Sequence, residues 1–343
     1  MNTAAVRSFS LSILTFFIFI FYSWISDTVY TVHLPNGHHN VELYSTEMQN
    51  DLSMTMSKAI SEAKDSVTLV IYSLTDAKII ASLREKSKTS CIVKVICDAK
   101  TCPDIEAKLG PQVKVLKRFI KGLMHIKILI IDSRQTWIGS ANMTRESLRH
   151  HGNLVMAIES ESIAEMASAK VRSFTSTERL HSIPHASFNQ GEQKAELWFL
   201  PDDPRAIGRI KGLIQGAQKT LRVAMFTWTR RDLASEVIAA KKRGVKVEVV
   251  LDKGTAAAAS KGIAKMLLES GVKVKLSQGK ALLHHKFMQI DGKTMVNGSA
   301  NWTKAAFETN DDCFVVLSPL SESQQIFLDK MWTIIIGDST DAN

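Results

Sequence analysis

A short motif occurs twice in this chain, each time the same distance ahead of one shared tetrapeptide. The first copy is His125-Ile126-Lys127, followed after four residues by Asp132; the second is His284-His285-Lys286, followed after four residues by Asp291. Each leads to Gly-Ser-Ala-Asn, at Gly139–Asn142 and Gly298–Asn301. The offset is constant: 284 − 125, 291 − 132 and 301 − 142 all equal 159. Two copies in register read as a duplicated catalytic half-site. The likeness continues upstream, where Ser66–Thr75 resembles Thr220–Thr229 and Val93–Asp98 resembles Val247–Asp252. There the offset is 252 − 98 = 154, so the second half holds five more residues, placed by sequence in the Ala-rich stretch Thr255–Ser260. A period this long fits two domain-sized lobes and not a solenoid.

Local patterns assign the fold class. Residues 51–64 have helical spacing behind a cap, Asp51 or Ser53. Val67–Tyr72 is an apolar run of strand length, and Ile92–Cys97 reads as a strand around Lys94. Lys127–Asp132 and Asn153–Glu159 also read as strands, with helices at Asp76–Ser87 and Ser162–Phe174. Alternating strands and helices predict an α/β protein. We expect two similar lobes, each a mixed β-sheet flanked by helices. A pseudo-twofold would relate them, with one active site at their interface. The expected bounds are 40–176 for the first lobe, 177–195 for a linker and 196–336 for the second lobe.

Residues 1–27 read as an N-terminal signal anchor or signal peptide. Phe9–Ile25 carries no charge and lies between Arg7 and Asp27, with no small-x-small cleavage site after it. An anchor with Arg7 on the inner side would put the catalytic part outside the cytoplasm; cleavage would make the protein secreted. The net charge of +9 over 343 residues favours anionic partners, lipid headgroups or nucleic acid. The four cysteines form no paired zinc pattern; Cys97 and Cys102 are close enough in sequence to pair.

The motif residues define the chemistry. His and Lys two apart on a strand project to one face, so each half offers an imidazole and an ammonium to one spot. Asn142 and Asn301 add neutral donors. Lysines and asparagines suit the non-bridging oxygens of a phosphodiester. One histidine can attack phosphorus while the other protonates the leaving oxygen and later activates water. No metal or other cofactor is called for: neither motif has an Asp/Glu cluster, and there is no His-Glu-x-x-His.

This pattern resembles the phospholipase D superfamily, whose signature is His-x-Lys-x4-Asp followed by Gly-Ser-x-Asn. The likeness spans roughly residues 40–335, with its endonuclease-like and mitochondrial phospholipase-D-like branches nearest in size. It implies a metal-independent phosphodiesterase with a phosphohistidine intermediate and His125 and His284 as the catalytic pair. Lys127, Lys286, Asn142 and Asn301 would bind phosphate, together with Ser140 and Ser299. Asp132 and Asp291 complete the motifs and would be mainly structural. In endonuclease-like members a carboxylate fourteen residues after the motif glycine orients the imidazole. That position is Asp312 in the second half but Asn153 in the first. We therefore expect inequivalent halves, with His284 backed by Asp312 as nucleophile and His125 as acid. The substrate expected is a glycerophospholipid, hydrolysed to phosphatidic acid. The alternatives are an endonuclease, a phosphatidyltransferase of the cardiolipin synthase kind, and an inactive lipid- or nucleic-acid-binding scaffold. Fused halves need no partner, so a monomer is expected.

Other residues receive plainer readings. His150 and His151, near the first Gly-Ser-Ala-Asn turn, are candidate site-lining residues, and His285 should face away from its neighbours. Lys117, Arg118 and Lys121 precede the first motif as candidate rim cations. Trp302 is read as a packing residue.

Overall fold

The computed structural model of the chain describes residues 32–35, 41–174, 182–278 and 281–342. The apolar segment 9–25 lies outside the described residues. Among the described residues no helix is long and apolar enough to cross a membrane.

The first half carries strands β1 (Val41–Ser45), β2 (Ser66–Ile71), β3 (Ile92–Asp98), β4 (Lys114–Arg118), β5 (Lys127–Ile131), β6 (Gln135–Gly139) and β7 (Leu154–Glu159). They form one sheet in the order β1-β7-β6-β5-β2-β3-β4. Strands β2, β3 and β4 run parallel, and the remaining neighbours pair antiparallel, which makes the sheet mixed. The second half carries β8 (Ala186–Gln190), β9 (Gln193–Leu200), β10 (Thr220–Met225), β11 (Lys246–Leu251), β12 (Lys273–Ser277), β13 (Lys286–Ile290), β14 (Thr294–Gly298), β15 (Asp312–Ser318) and β16 (Ser339–Asp341). Their order is β16-β12-β11-β10-β13-β14-β15-β9-β8. The two sheets match strand for strand from β9 to β12, and the second adds β8 and β16 at its edges. The two-lobe α/β architecture thus agrees with the sequence reading.

The expected linker is shorter than the sequence suggested. Its last ten residues form β8 and the start of β9, a hairpin on the second sheet. Residues 175–181 lie outside the described residues. Past the expected end of the second lobe, β16 pairs with β12.

Local chemistry sets the element boundaries. The helix Leu52–Glu62 starts where the Asp51 carboxylate accepts the Met54 N–H, and the helix Ala77–Lys86 where Asp76 accepts from Lys78 and Ile79. The five extra residues of the second half fall between β11 and β12. Lys94 and Glu248 stand 154 apart, whereas Lys114 and Lys273 stand 159 apart. Here the second lobe has two helices, Lys253–Ala257 and Lys261–Glu269, where the first has only Ile105–Leu109.

Three buried clusters fix the layering. One lies between the first sheet and its outer helices, with Leu52, Ile60, Val95 and Trp137. Its counterpart in the second lobe contains Leu221, Trp228, Val249 and Trp302. The third joins the lobes: Val70, Ile96 and Ile128 share it with Ala224, Val250, Phe287 and Val315. The inner faces of the two sheets therefore form one continuous core, and the lobes are held by apolar burial. All four cysteines are buried and free, so Cys97 and Cys102 form no disulfide.

Candidate active site

Each motif histidine is delivered across the lobe boundary. Just ahead of β5, the His125 N–H donates to the Asp311 carbonyl at 2.8 Å, and the Asp311 N–H donates back to Leu123 at 2.9 Å. Just ahead of β13, His284 donates to the Gly152 carbonyl at 2.9 Å, and Gly152 donates to Leu282 at 2.8 Å. Each crossing is locked from its own lobe. Asp98 Oδ2 accepts the Met124 N–H at 3.1 Å, and Asp252 Oδ2 accepts that of Leu283 at 3.2 Å. Asp98 and Asp252 are the acids that close the β3-like and β11-like repeats. The motif glycines are required by close approach: a Cβ on Gly139 or Gly298 would lie 2.4 Å from the carbonyl oxygen of Leu154 or Cys313.

The crossing overturns the expected pairing behind the imidazoles. Asp312 does not back His284; its Oδ1 meets His125 Nδ1 at 2.8 Å. His284 Nδ1 instead meets Asn153 Oδ1 at 3.1 Å. Both partners start the strand next to their own motif, β15 or about β7, and those strands begin at the interface opposite the other lobe's histidine. The Asn153 amide is oriented by its neighbours. Its Nδ2 donates to the Ser147 and His151 carbonyls at 2.7 and 3.1 Å, leaving Oδ1 as the acceptor for His284. Ser140 and Ser299, expected to bind substrate, are fully buried and bonded elsewhere. Ser140 Oγ donates to Asn153 at 2.8 Å, and Ser299 Oγ donates to Asp312 at 2.6 Å. They hold the groups that hold the histidines. With both Nδ1 atoms engaged, each ring presents Nε2 to the site.

The lysines open β5 and β13. Lys127 Nζ donates to the His125 carbonyl at 2.6 Å and Lys286 Nζ to the His284 carbonyl at 2.7 Å. Each ammonium lies over an aromatic ring, Lys127 5.3 Å from Tyr72 and Lys286 4.8 Å from Phe226. The same rings approach the histidines, with centroids 5.3 Å apart for Tyr72 and His125 and 4.9 Å for Phe226 and His284. Tyr72 and Phe226 are site residues that the motif does not contain. They occupy equivalent places in the Ser66–Thr75 and Thr220–Thr229 repeats, one residue past β2 and β10.

Burial dominates the electrostatics. It pushes the Lys127 ammonium down to about 7, against the pull of Asp312, and pushes Lys286 well below its ordinary range, with Lys127 adding to the effect. His284 is held well below the usual imidazole range by burial, then by Lys286, Lys127 and His125. His125 is lowered by burial and Lys127, and Asp312 opposes that shift. Burial pushes the Asp312 carboxyl up, but His125, Lys127 and Ser299 together hold it below the ordinary carboxylate range. These mutual effects put both His–Lys pairs in one site, poor in counter-charge.

The remaining motif residues divide by role. Asp132 and Asp291 face away from the histidines, at positive φ of 51° and 53°. Asp132 accepts from the N–H groups of Lys64, Asp65 and Ser66, and Asp291 from those of Gln218, Lys219 and Thr220. Both are clamps on the chain entering β2 and β10. Asn301 Oδ1 accepts from Thr227, while buried Asn142 Oδ1 has no partner in the described structure. His151 lines the site, its ring 6.5 Å from His284; His150 is exposed. His285 is fully buried, with Nε2 2.7 Å from Glu47 Oε1, a contact between the lobes. Of the expected rim cations, Lys117 pairs with Glu106 and Arg118 with Asp311, both at 2.6 Å. Trp302 packs edge-on against Trp228 at 4.5 Å.

A duplicated α/β lobe placing two His-x-Lys-x4-Asp motifs at one interface defines a class. The family model described as "Cardiolipin synthase, PLD-like domain" matches twice, over residues 56–174 and 210–332. The chain belongs to this family and so to the phospholipase D superfamily. Among curated relatives, the mitochondrial cardiolipin hydrolase of Chlamydomonas reinhardtii is 33% identical over 132 residues, 38% of this chain and 58% of that protein. That of Xenopus tropicalis is 32% identical over 135 residues, 39% of this chain and 64% of that protein. The chain thus spans about three fifths of the length of the curated relatives it matches. The crystal structure of phosphatidylserine synthase from Haemophilus influenzae Rd KW20 shares the fold, with a TM-score of 0.69 at 14% identity over 88% of this chain and 87% of that one.

Proposed function

We propose that this chain is a phosphodiesterase of the phospholipase D type, which hydrolyses glycerophospholipids to phosphatidic acid through a phosphohistidine on His125. One observation carries the assignment of roles: the carboxylate of Asp312 lies behind His125, and the neutral amide of Asn153 lies behind His284. Asp312 accepts the hydrogen bond of Nδ1–H, which fixes the tautomer with its lone pair on Nε2, and stabilises positive charge that builds on the ring during attack. Nε2 of His125 attacks phosphorus as the bond from phosphorus to the leaving oxygen breaks. His284 gives its Nε2 proton to that oxygen, then takes a proton from the water that breaks the P–N bond. Lys127 and Lys286 bind the non-bridging oxygens, with Asn142 and Asn301 beside them. The phosphate supplies the negative charge the empty site lacks, raising the proton affinity of His284 in the complex.

The lipid substrate is supported by the curated relatives, which are named for cardiolipin hydrolysis. Segment 9–25 would hold the enzyme near that substrate, with the catalytic part outside the cytoplasm, and one chain would suffice as a monomer.

The test uses the purified chain in EDTA beside a His284→Asn variant, with phosphatidylcholine, phosphatidylglycerol, cardiolipin and labelled single-stranded DNA. Phosphatidic acid release by the wild type alone supports the proposal. DNA cleavage without lipid turnover makes the chain a nuclease, and transfer of the phosphatidyl group to an added alcohol with no phosphatidic acid released in its absence makes it a transferase. No turnover of any substrate points to a binding scaffold.

A further inference from the structure

The rim of the site carries a cluster of exposed apolar side chains that the chemistry does not use. The sheet register fixes where that rim lies. Ile71, at the end of β2, pairs with Cys97 near the end of β3 and with Lys127 at the start of β5. Met225 pairs in the same way with Leu251 and Lys286. The loops that follow β2, β3 and β6, and the segment before β5, therefore emerge at one edge, as do their counterparts in the second lobe. Leu123 and Leu282 occupy equivalent positions there, each two residues ahead of a motif histidine and each in a crossing segment. Leu123 is 36% exposed and Leu282 39%; Phe119, four residues before Leu123, is 78% exposed. Leu282 also walls an open depression of about 770 Å3 with Leu283, Ile334 and Ile335.

Cations surround these side chains. Lys100 and Lys253 follow β3 and β11, Arg145 follows the first Gly-Ser-Ala-Asn turn, and Lys121 lies between Phe119 and Leu123. All four are exposed, and none has an ion-pair partner among the described residues. Of the carboxylates at the same edge, Glu106 and Glu308 are paired, with Lys117 and Lys304, whereas exposed Asp104 and Glu146 have no ion-pair partner among the described residues, so the four cations outnumber the unpaired acids two to one.

We propose that this rim is a membrane-docking surface. Phe119, Leu123 and Leu282 enter the headgroup layer of an anionic bilayer on either side of the pseudo-twofold, and Lys100, Lys121, Arg145 and Lys253 contact the headgroups. The proposal rests on the lipid reading above and names the physical state of the substrate: lipid within an anionic surface, lifted into the site between the two leucines. Apolar side chains ringed by unpaired cations suit an interface that is apolar below and anionic above. A nucleic-acid groove would stack bases on a series of flat rings, whereas two of these three side chains, Leu123 and Leu282, are aliphatic and only Phe119 has a ring.

Two measurements on the full chain test it. The native cysteines are buried, so a Phe119→Cys variant accepts one environment-sensitive fluorophore at the rim. We expect its emission to shift to the blue with cardiolipin-containing phosphatidylcholine vesicles and to stay put with pure phosphatidylcholine. Because the label reports on residue 119 alone, insertion of segment 9–25 leaves the test intact. Second, a Phe119→Ser, Lys121→Ser, Lys253→Ser triple variant, which leaves the crossing segments untouched, should lose about tenfold or more of its rate on vesicle lipid. Its rate on dihexanoyl-phosphatidylglycerol below the micelle concentration should match wild type, which also controls for folding. A wild-type chain that hydrolyses both lipids, with a triple variant unimpaired on vesicles or impaired equally on both, overturns the docking surface and leaves the lipid reading standing. A label that responds to single-stranded DNA and not to vesicles, in a chain that hydrolyses neither lipid, overturns both.

Discussion

His125 and His284 rest on the same scaffold used twice. Each follows a segment pinned by an aspartate of its own lobe, Asp98 or Asp252, and each abuts an aromatic ring, Tyr72 or Phe226. Each is followed by a lysine bonded to its own carbonyl and by an aspartate that clamps three backbone N–H groups. The difference lies behind the ring: a carboxylate for His125, an amide for His284. The pseudo-twofold supplies the geometry of two equivalent catalysts, and one side-chain atom, oxygen or nitrogen, makes them unequal.

The sharpest way to break this comparison is to remove each histidine and offer a diester with an activated p-nitrophenolate leaving group, which needs little help from an acid. His284→Asn should still form a phosphoenzyme, trapped by acid quench, with the phosphate mapped to His125 by mass spectrometry. His125→Asn should form none, a deficit of about a thousandfold or more in the burst. A label on His284 would reverse the roles. Next in size, Asp312→Asn should lower kcat by about 10^3 to 10^4, by the loss seen when a buried triad carboxylate is amidated. Asn153→Ala should cost only about ten- to a hundredfold, a positioning loss. Equal losses would erase the asymmetry.

The pH profile probes the same contrast. Burial and Lys286 hold His284 below its ordinary value of 6.5. The free enzyme with His284 protonated is therefore depleted as pH rises through a value under 6.5, and kcat/KM should peak on the acid side and fall towards neutrality. Asn153→Asp puts a negative charge at Nδ1, favours the imidazolium and should move the alkaline limb up by about one pH unit. An unmoved limb would mean that another group sets it.

Stability gives the smallest effects. Lys127, lowered from 10.5 to about 7 by burial, binds fewer protons folded than unfolded across that interval. Its contribution is favourable above 10.5 and lost as pH falls through about 7, so stability rises with pH over this window. Lys127→Met should flatten that slope and stabilise the inactive variant by about 1 to 3 kcal/mol at neutral pH in urea melts. Asp132→Asn and Asp291→Asn should each cost about 1 to 3 kcal/mol through weakened clamps. The two losses should agree, since here the lobes are alike.

Much of this arrangement is legible in the chain. The constant offset of the motifs gives two lobes and one shared site, Asp51 and Asp76 mark real helix starts, and the offset change from 154 to 159 locates an added helix segment. What escapes is whatever depends on which lobe a side chain reaches. The spacing from Gly298 to Asp312 is the same whether Asp312 faces its own histidine or the other one; only the docking of the two sheets decides. For the same reason Ser140 and Ser299 look like phosphate ligands beside their asparagines, although their hydroxyls turn inward. Tyr72 and Phe226 were within reach, since the strand repeats align them, but an apolar run offers no mark to separate a ring that meets an imidazole from one that fills the core.

The crossed hydrogen bonds also govern when the site can form. During synthesis the first half is complete, His125 and Lys127 included, while residues that face it are still unmade. Until Asp311 and Asp312 leave the ribosome, His125 has neither its backbone acceptor nor its carboxylate, and no second histidine opposes it. A nascent or truncated chain thus lacks the assembled site, and the proposed activity requires that the far end of the polypeptide has folded home.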